Sequence, residues 1–142
     1  MKRKGNVLIE VVAGLFIITL STTFIINANL QNNKILKERI LLEDVSRSMY
    51  NLMNEIKYNV PKSELDESLI NEEVGFEYDS DFSRNLIYLD YKNIARGNDI
   101  KLIKLYEDNI GTHLKIVSNI KKDNNEIFLE KEFIKSWWMD EI

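Results

Sequence analysis

Residues 2–26 read KRKGNVLIEVVAGLFIITLSTTFII, three cations and a glycine followed by an apolar run that contains one carboxylate. From Val11 to Ile26 the run carries no charged residue. Val7–Ile26 is 20 residues long, and an α-helix needs about 20 apolar residues to cross a hydrocarbon core about 30 Å thick. We therefore expect this stretch to be a membrane-spanning helix.

Glu10 is the unusual residue of this run, because it places a carboxylate among apolar side chains. An acidic residue in the middle of a membrane helix costs about 2.5–3.5 kcal/mol on insertion scales. Such residues usually have a charged or polar partner and a function. The sequence therefore predicts that Glu10 meets a partner.

The short basic leader Lys2-Arg3-Lys4-Gly5, the following Asn6 and the segment Leu8-Ile9-Glu10 closely resemble the N-terminus of type IV prepilins. The resemblance implies cleavage of the Gly5–Asn6 bond by a membrane prepilin peptidase, followed by N-methylation of the new terminus. It also implies that Glu10 pairs with the terminal amine of a neighbouring subunit. Asn6 departs from the family pattern, in which Phe or Met is common at this position.

Two other interpretations of the N-terminal stretch are a secretory signal peptide and an ordinary signal anchor. A secretory signal peptide needs small residues before its cleavage site, whereas Ile26-Asn27-Ala28 has Ile at the outer small position. An ordinary signal anchor would leave Glu10 incidental. The cations Lys2, Arg3 and Lys4 would keep the N-terminus in the cytoplasm and place the C-terminal part outside.

Composition narrows the functions of the outer part. The 142 residues contain 19 cations, 23 anions and no cysteine. Without the three leader cations the net charge falls from −4 to −7, and binding of nucleic acid needs clustered Lys and Arg. We therefore expect no direct nucleic-acid partner, and a domain that is held together by core packing rather than by disulfides.

A second helical segment is predicted to continue the first up to Asn59. Its apolar residues fall within one arc of a helical wheel, and Val60-Pro61 follows because proline disfavours helical geometry in the preceding residue. The apolar arc consists of Leu41, Leu42, Val45, Met49, Leu52, Met53 and Ile56.

Weak helix formers between Thr19 and Thr23, with Gly14 upstream, predict local plasticity in the first helical segment.

From Val74 onward the apolar pattern has the period of two that is typical of strands. Strands are expected around Val74–Tyr78, Leu86–Tyr91, Leu114–Val117 and Ile127–Ile134, giving a sheet of four to six antiparallel strands. The amphipathic helix is the one large apolar face available to cover it. The predicted fold is therefore α+β and pilin-like, a long N-terminal helix packed on a small antiparallel sheet.

The segment between Phe76 and Ser118 loosely resembles J-type minor pseudopilins and W-type minor pilins. The shared pattern is a strand, a short hairpin ending in an arginine, here Arg96, then a connector and an edge strand. This favours a minor subunit. The predicted organisation is a leader (1–5), a membrane and assembly half-helix (6–27), an amphipathic half-helix (28–59), an acidic connector with a short helical turn or loop (60–73), and a sheet domain (74–142).

No arrangement for catalysis is apparent, and we predict neither enzyme activity nor a cofactor. His113 is the one histidine and is expected to be structural or solvated. Asp79-Ser80-Asp81 lacks the glycine and later glutamate of a calcium loop and is expected to be an acidic turn. For Trp137-Trp138 we expect at least one ring in the core.

The function predicted from the sequence is that of a minor type IV pilin or pseudopilin in a pilus, secretion or DNA-uptake machine. The alternative is an uncleaved single-pass membrane protein with an outer sensor or binding domain. Partners implied by the resemblance are other pilin subunits, a prepilin peptidase, an inner-membrane assembly platform and membrane lipid. The predicted site residues are Gly5 and Asn6 for processing, Glu10 for assembly, and for the membrane span Val7, Leu8, Ile9, Val11, Val12, Leu15, Phe16, Ile17, Ile18, Leu20, Phe24, Ile25 and Ile26.

Overall fold

The computed structural model describes residues 2–89, 91–122 and 125–140, with the side chains of residues 2–6, 70 and 140 outside the description. Internal contacts divide the chain into two units, Met1–Ile40 and Leu41–Ile142. Each unit is treated separately below. The first is helical throughout its described length, and the second contains the sheet.

Helix α1 spans Lys2–Tyr58 and so belongs to both units. It ends where the sequence predicts, within one residue of Asn59. The N–H groups of Asn59 and Val60 both bond the carbonyl of Glu55, at 2.9 and 3.1 Å. Pro61 then adopts an extended conformation, because its ring and missing N–H do not allow the helix to continue.

A buried lysine also marks the end of α1. The Nζ of Lys135 donates to the carbonyl oxygens of Ile56 and Lys57, at 3.1 and 3.2 Å. These carbonyls lie in the last turn, where the helix leaves its acceptors without intrahelical donors. The positive charge also interacts favourably with the negative end of the helix dipole.

The sheet has four antiparallel strands in the order β1-β2-β3-β4, each paired with the next along the chain. In the long β3–β4 hairpin, Gly111 pairs with Ser136 and Lys122 with Asn125. Between β2 and β3 the register shifts next to Leu105. The bounds are β1 Glu73–Phe76, β2 Ile100–Glu107, β3 Gly111–Lys122 and β4 Asn125–Ser136.

The part of α1 in the second unit packs on one face of this sheet and confirms the predicted α+β layout. Alternate residues of β3 are buried while those between them are more exposed, as expected of a sheet with one covered face. The helix buries four members of the predicted arc completely, whereas Leu42 at its margin is 42% exposed. The core formed by α1 and the sheet includes Val45, Met49, Leu52, Ile56, Val74, Phe76, Ile100, Leu102, Leu114, Ile116, Ile120, Ile127 and Phe133.

The strand predicted over Leu86–Tyr91 is wrong. Residues Phe82–Tyr88 form helix α3, in which Phe82 and Leu86 are buried one helical turn apart. The N–H of Asn85 bonds the carbonyl of Asp81 at 2.8 Å. Side chains four apart share one face of a helix, and burial of this pair outweighs the alternation that suggested a strand.

Two further expectations concern the connector and the order of strands. The acidic connector contains a short helix, α2, Lys62–Ser68, as predicted. Strand β2, Ile100–Glu107, was not among the predicted strands. It lies between β1 and β3, because the four residues of β1 occupy its other side. The edges of the sheet are β1 and β4.

Candidate functional site

The candidate membrane segment lies in the first unit. The described residues contain one helix that is long and apolar enough to cross a membrane. The predicted membrane residues of this helix are between 53% and 76% exposed. They are Val7, Leu8, Ile9, Val11, Val12, Leu15, Phe16, Ile17, Ile18, Leu20, Phe24, Ile25 and Ile26. So much exposed apolar area on all sides of a helix is unfavourable in water.

Hydroxyl side chains in the apolar run are satisfied within the helix. Thr19, Ser21, Thr22 and Thr23 each donate a hydrogen bond to the backbone carbonyl four residues earlier, at 2.8 Å. In hydrocarbon an unpaired hydroxyl is costly, so these bonds make the segment more compatible with lipid. The same bonds slightly weaken a helix and often bend it, and plasticity of Thr19–Thr23 stays a prediction.

Glu10 is exposed on α1 and makes no hydrogen bond or ion pair with any described residue. Its carboxylate is therefore available to a group outside this chain. Gly5 and Asn6 lie in the first turns of α1, but the side chain of Asn6 falls outside the described part of the structure. The Gly5–Asn6 cleavage site and the pairing of Glu10 stay predictions.

In the second unit a groove with a volume of about 1000 Å³ lies between α1 and α3. Helix α1 contributes Asn51, Asn54 and Tyr58 to its wall, at the spacings of three and four that place residues on one side of a helix. Helix α3 contributes Ile87 and Tyr88, which are 76% and 77% exposed. Sequence reasoning missed this groove because it interpreted α3 as a strand.

The floor of the groove is buried and packed, whereas its rim is exposed. Tyr91 is 3% exposed, its hydroxyl lies 3.1 Å from the hydroxyl of Ser68, and its ring packs edge-on to Phe76 with centroids 5.6 Å apart. Burial raises the pKa of Tyr91, so its hydroxyl stays protonated. Arg96 stacks over both rings.

A second, smaller group of polar residues surrounds the β2–β3 turn. Asp108 accepts hydrogen bonds from the N–H groups of Ile110 and Gly111, and its other oxygen lies 2.9 Å from Nε2 of His113. The first of these backbone bonds is the main cause of the lowered pKa of Asp108. The His113 ring stacks on Tyr106 with centroids 4.0 Å apart. These contacts give His113 a structural role in the turn.

The tryptophans lie next to this turn, and the expectation that one fills the core is wrong. Trp137 and Trp138 are 58% and 47% exposed. They follow directly on β4 in a short 3-10 turn, where the Trp137 N–H bonds the carbonyl of Ile110 at 3.3 Å. The core is already filled by aliphatic and phenylalanine side chains, so the rings remain at the surface.

The expected acidic turn at Asp79–Asp81 has a local explanation. Oδ1 of Asp79 accepts the N–H of Asp81 at 2.9 Å, and Asp81 pairs with Arg84 at 3.0 Å. The turn leads directly into α3. Among residues 2–89, 91–122 and 125–140, no group of three or more His, Cys, Asp or Glu side chains could hold a metal ion.

A cluster of ion pairs fixes α2 to β2. Glu107 pairs with Lys62 and with Lys104, the latter at 3.0 Å, and Lys104 also lies 3.6 Å from Asp66. The hydrogen bond from Lys62, followed by that from Lys104, lowers the pKa of Glu107. All four side chains are partly exposed, so the cluster contributes little stability in salt solution.

Comparisons with models of protein families, with characterised proteins and with solved structures found no match to this chain.

Proposed function

We propose that this protein is a minor type IV pilin or pseudopilin, a structural subunit that is cleaved after Gly5 and assembled into a pilus or pseudopilus. Before assembly it lies in the cytoplasmic membrane, with its N-terminus inside and the sheet domain outside. The observation that carries the proposal is a single helix, α1, that is apolar and exposed around Glu10 and packs on a four-stranded sheet at its other end.

The exposed apolar surface of α1 requires an apolar environment. Side chains of Val7–Ile26 are covered by no described part of the chain, and burial of such side chains stabilises by about 25 cal/mol per Å². Lipid covers them before assembly. Helices of neighbouring subunits provide an equivalent apolar environment afterwards.

Glu10 gives this segment a direction and a register. Its carboxylate has no partner among described residues, and a charge at this depth needs one. The amine released by cleavage of the Gly5–Asn6 bond would be the positive group of a neighbouring subunit that meets it. A simple membrane anchor gives no reason for the carboxylate.

The first experiment is intact-mass analysis of the protein extracted from membranes of cells that contain an active prepilin peptidase. We expect a chain that begins at Asn6, with or without one added methyl group. Substitution of Gly5 by Leu should leave the leader attached. If the native chain retains residues 1–5 in such cells, the protein is an uncleaved membrane protein and the proposal is wrong.

The second experiment tests Glu10 with the variant Glu10→Ala and the matched control Glu38→Ala, since Glu38 is an exposed glutamate of the same helix. Glu10→Ala should insert in the membrane and be cleaved, but its amount in sheared pilus fractions should fall at least tenfold. Glu38→Ala should behave as the native chain does. Equal incorporation of both variants would show that Glu10 does not set the register.

A further inference from the structure

The groove between α1 and α3 has a lining that points to a ligand with many hydroxyl groups. Asn51, Asn54 and Asn93 line it, and their side chains make no hydrogen bond to any described residue. A carboxamide both donates and accepts hydrogen bonds. Sugar hydroxyls do the same, so each amide can bind a hydroxyl in two ways.

Aromatic rings complete this chemistry at the rim of the groove. Tyr88 is 77% exposed and Tyr58 is 56% exposed, and both border the same cavity. An exposed tyrosine offers an apolar ring face together with a polar hydroxyl. The C–H faces of a pyranose ring pack well against such a surface.

The charges of the groove argue for a neutral ligand. Among the described residues that line it, Glu55 and Glu64 are acidic and Lys92 is the one cation. The Lys92 ammonium already pairs with Glu67 at 3.3 Å, and the Glu55 carboxylate accepts a hydrogen bond from the Asn59 amide at 2.6 Å. Phosphates and acidic sugars would therefore be repelled rather than bound.

The walls argue against a peptide as the occupant. An extended peptide binds by adding a strand to the free edge of a sheet, whereas the groove is formed by α1, α3 and the turns next to them. A helical peptide needs a continuous apolar floor, and the α1 side presents Asn51, Asn54 and Glu55 instead. Neither of these two modes of peptide recognition fits this lining.

We propose that the groove between α1 and α3 is a binding site for a neutral oligosaccharide, held by the amides of Asn51, Asn54 and Asn93 and stacked on Tyr88. A volume of about 1000 Å³ is at the upper end of the range for small-molecule sites and accommodates several sugar rings. The site goes beyond assembly into a filament and does not depend on it, because every residue involved lies in the second unit.

The test uses the full chain in a zwitterionic detergent without a sugar headgroup, so that the detergent does not compete. Maltotetraose, cellotetraose and chitotetraose are added separately, and binding is measured from shifts of the asparagine side-chain amides in NMR spectra. At least one sugar should bind with a Kd of about 1 mM or lower. No shift with any of the three at about 10 mM would overturn the proposal.

Three variants show whether binding takes place in the groove. Tyr88→Ala and Asn54→Ala should each weaken binding at least tenfold, and the exposure of Tyr88 makes a folding defect from its truncation unexpected. The control Tyr106→Ala removes a tyrosine that is 56% exposed but belongs to the β2–β3 region, and it should leave the Kd unchanged. Equal loss in all three variants would contradict the assignment of the site.

A last experiment distinguishes a sugar site from a protein interface. A photoreactive phenylalanine at position 88 should not crosslink to protein in cells that express the native partners. A specific crosslink to another membrane protein, together with no sugar binding, would show that the groove is a protein interface. Cleavage at Gly5–Asn6 should be normal in Tyr88→Ala, so the outcome for this site is separate from the outcome for filament assembly.

Discussion

Lys135→Met tests whether the buried lysine fixes the end of α1 against the sheet. The lysine is 3% exposed, and its ammonium donates to the carbonyls of Ile56 and Lys57. Hydrogen bonds from a charged donor contribute about 1.5 kcal/mol each, which gives about 3 kcal/mol for the pair. Methionine removes the cost of burying an ammonium, so we expect a net loss of about 2 kcal/mol in the free energy of unfolding.

The assay is urea unfolding of the full chain in detergent, followed by tryptophan fluorescence. The two tryptophans of the sequence, Trp137 and Trp138, directly follow β4, so the signal reports the second unit. The control is Lys131→Met on the same strand, where the ammonium has a long 3.5 Å contact with Ser46. It should change the free energy of unfolding by less than about 0.5 kcal/mol. Equal effects of both variants would refute the argument that Lys135 caps the helix.

Three further predictions concern the core, pH and backbone packing. Leu52→Ala should lower the free energy of unfolding by about 3 kcal/mol, because Leu52 is 0% exposed. Leu42→Ala should lower it by less than about 1 kcal/mol in the same urea assay, and equal losses would mean that the arc does not pack as described. Burial, followed by the hydrogen bond to Asp44, raises the pKa of Tyr78 above its ordinary value of 10.0. The unfolded chain therefore loses the Tyr78 proton at lower pH than the folded chain does. The contribution of Tyr78 to the free energy of unfolding is complete below about pH 10 and should fall as the pH rises further. Between about pH 9 and about pH 11 the free energy of unfolding should fall less for Tyr78→Phe than for the native chain. Equal falls in both would show that Tyr78 does not contribute in this way. Gly75→Ala should lower the melting temperature of the second unit, measured by fluorescence, because the new Cβ would lie 2.1 Å from the carbonyl oxygen of Gly97. An unchanged melting temperature would show that β1 and the backbone at Gly97 can move apart without a loss of stability.

Much of the fold could be predicted because the patterns concerned are long. The apolar run and the arc from Leu41 to Ile56 each repeat over many helical turns. Alternation in Leu114–Val117 and Ile127–Ile134 predicted the centres of β3 and β4, which extend to 12 residues each in the structure. An apolar pattern repeated over such a length fits only one type of secondary structure that buries all of its apolar side chains on one face. The stop at Val60-Pro61 follows from the geometry of proline alone.

Short segments were predicted less well, because their periodicity is ambiguous. Seven residues of α3 contain one buried pair, Phe82 and Leu86, and the Asp81 that precedes them was the available signal of a helix start. The groove depends on α3, so the residues that line it were not predicted either. Trp137 and Trp138 were misplaced because composition does not show that other side chains already fill the core.

The sequence by itself determined the apolar segment with Glu10, the long helix and the strands of the β3–β4 hairpin, since these depend on local periodicity and on chain length. Only the tertiary structure decided which strand lies at an edge, which residues cap α1, and which side chains remain exposed beside the groove. Those outcomes depend on competition between distant residues for the same buried space and the same hydrogen-bond acceptors. Such competition leaves no periodic pattern along the chain.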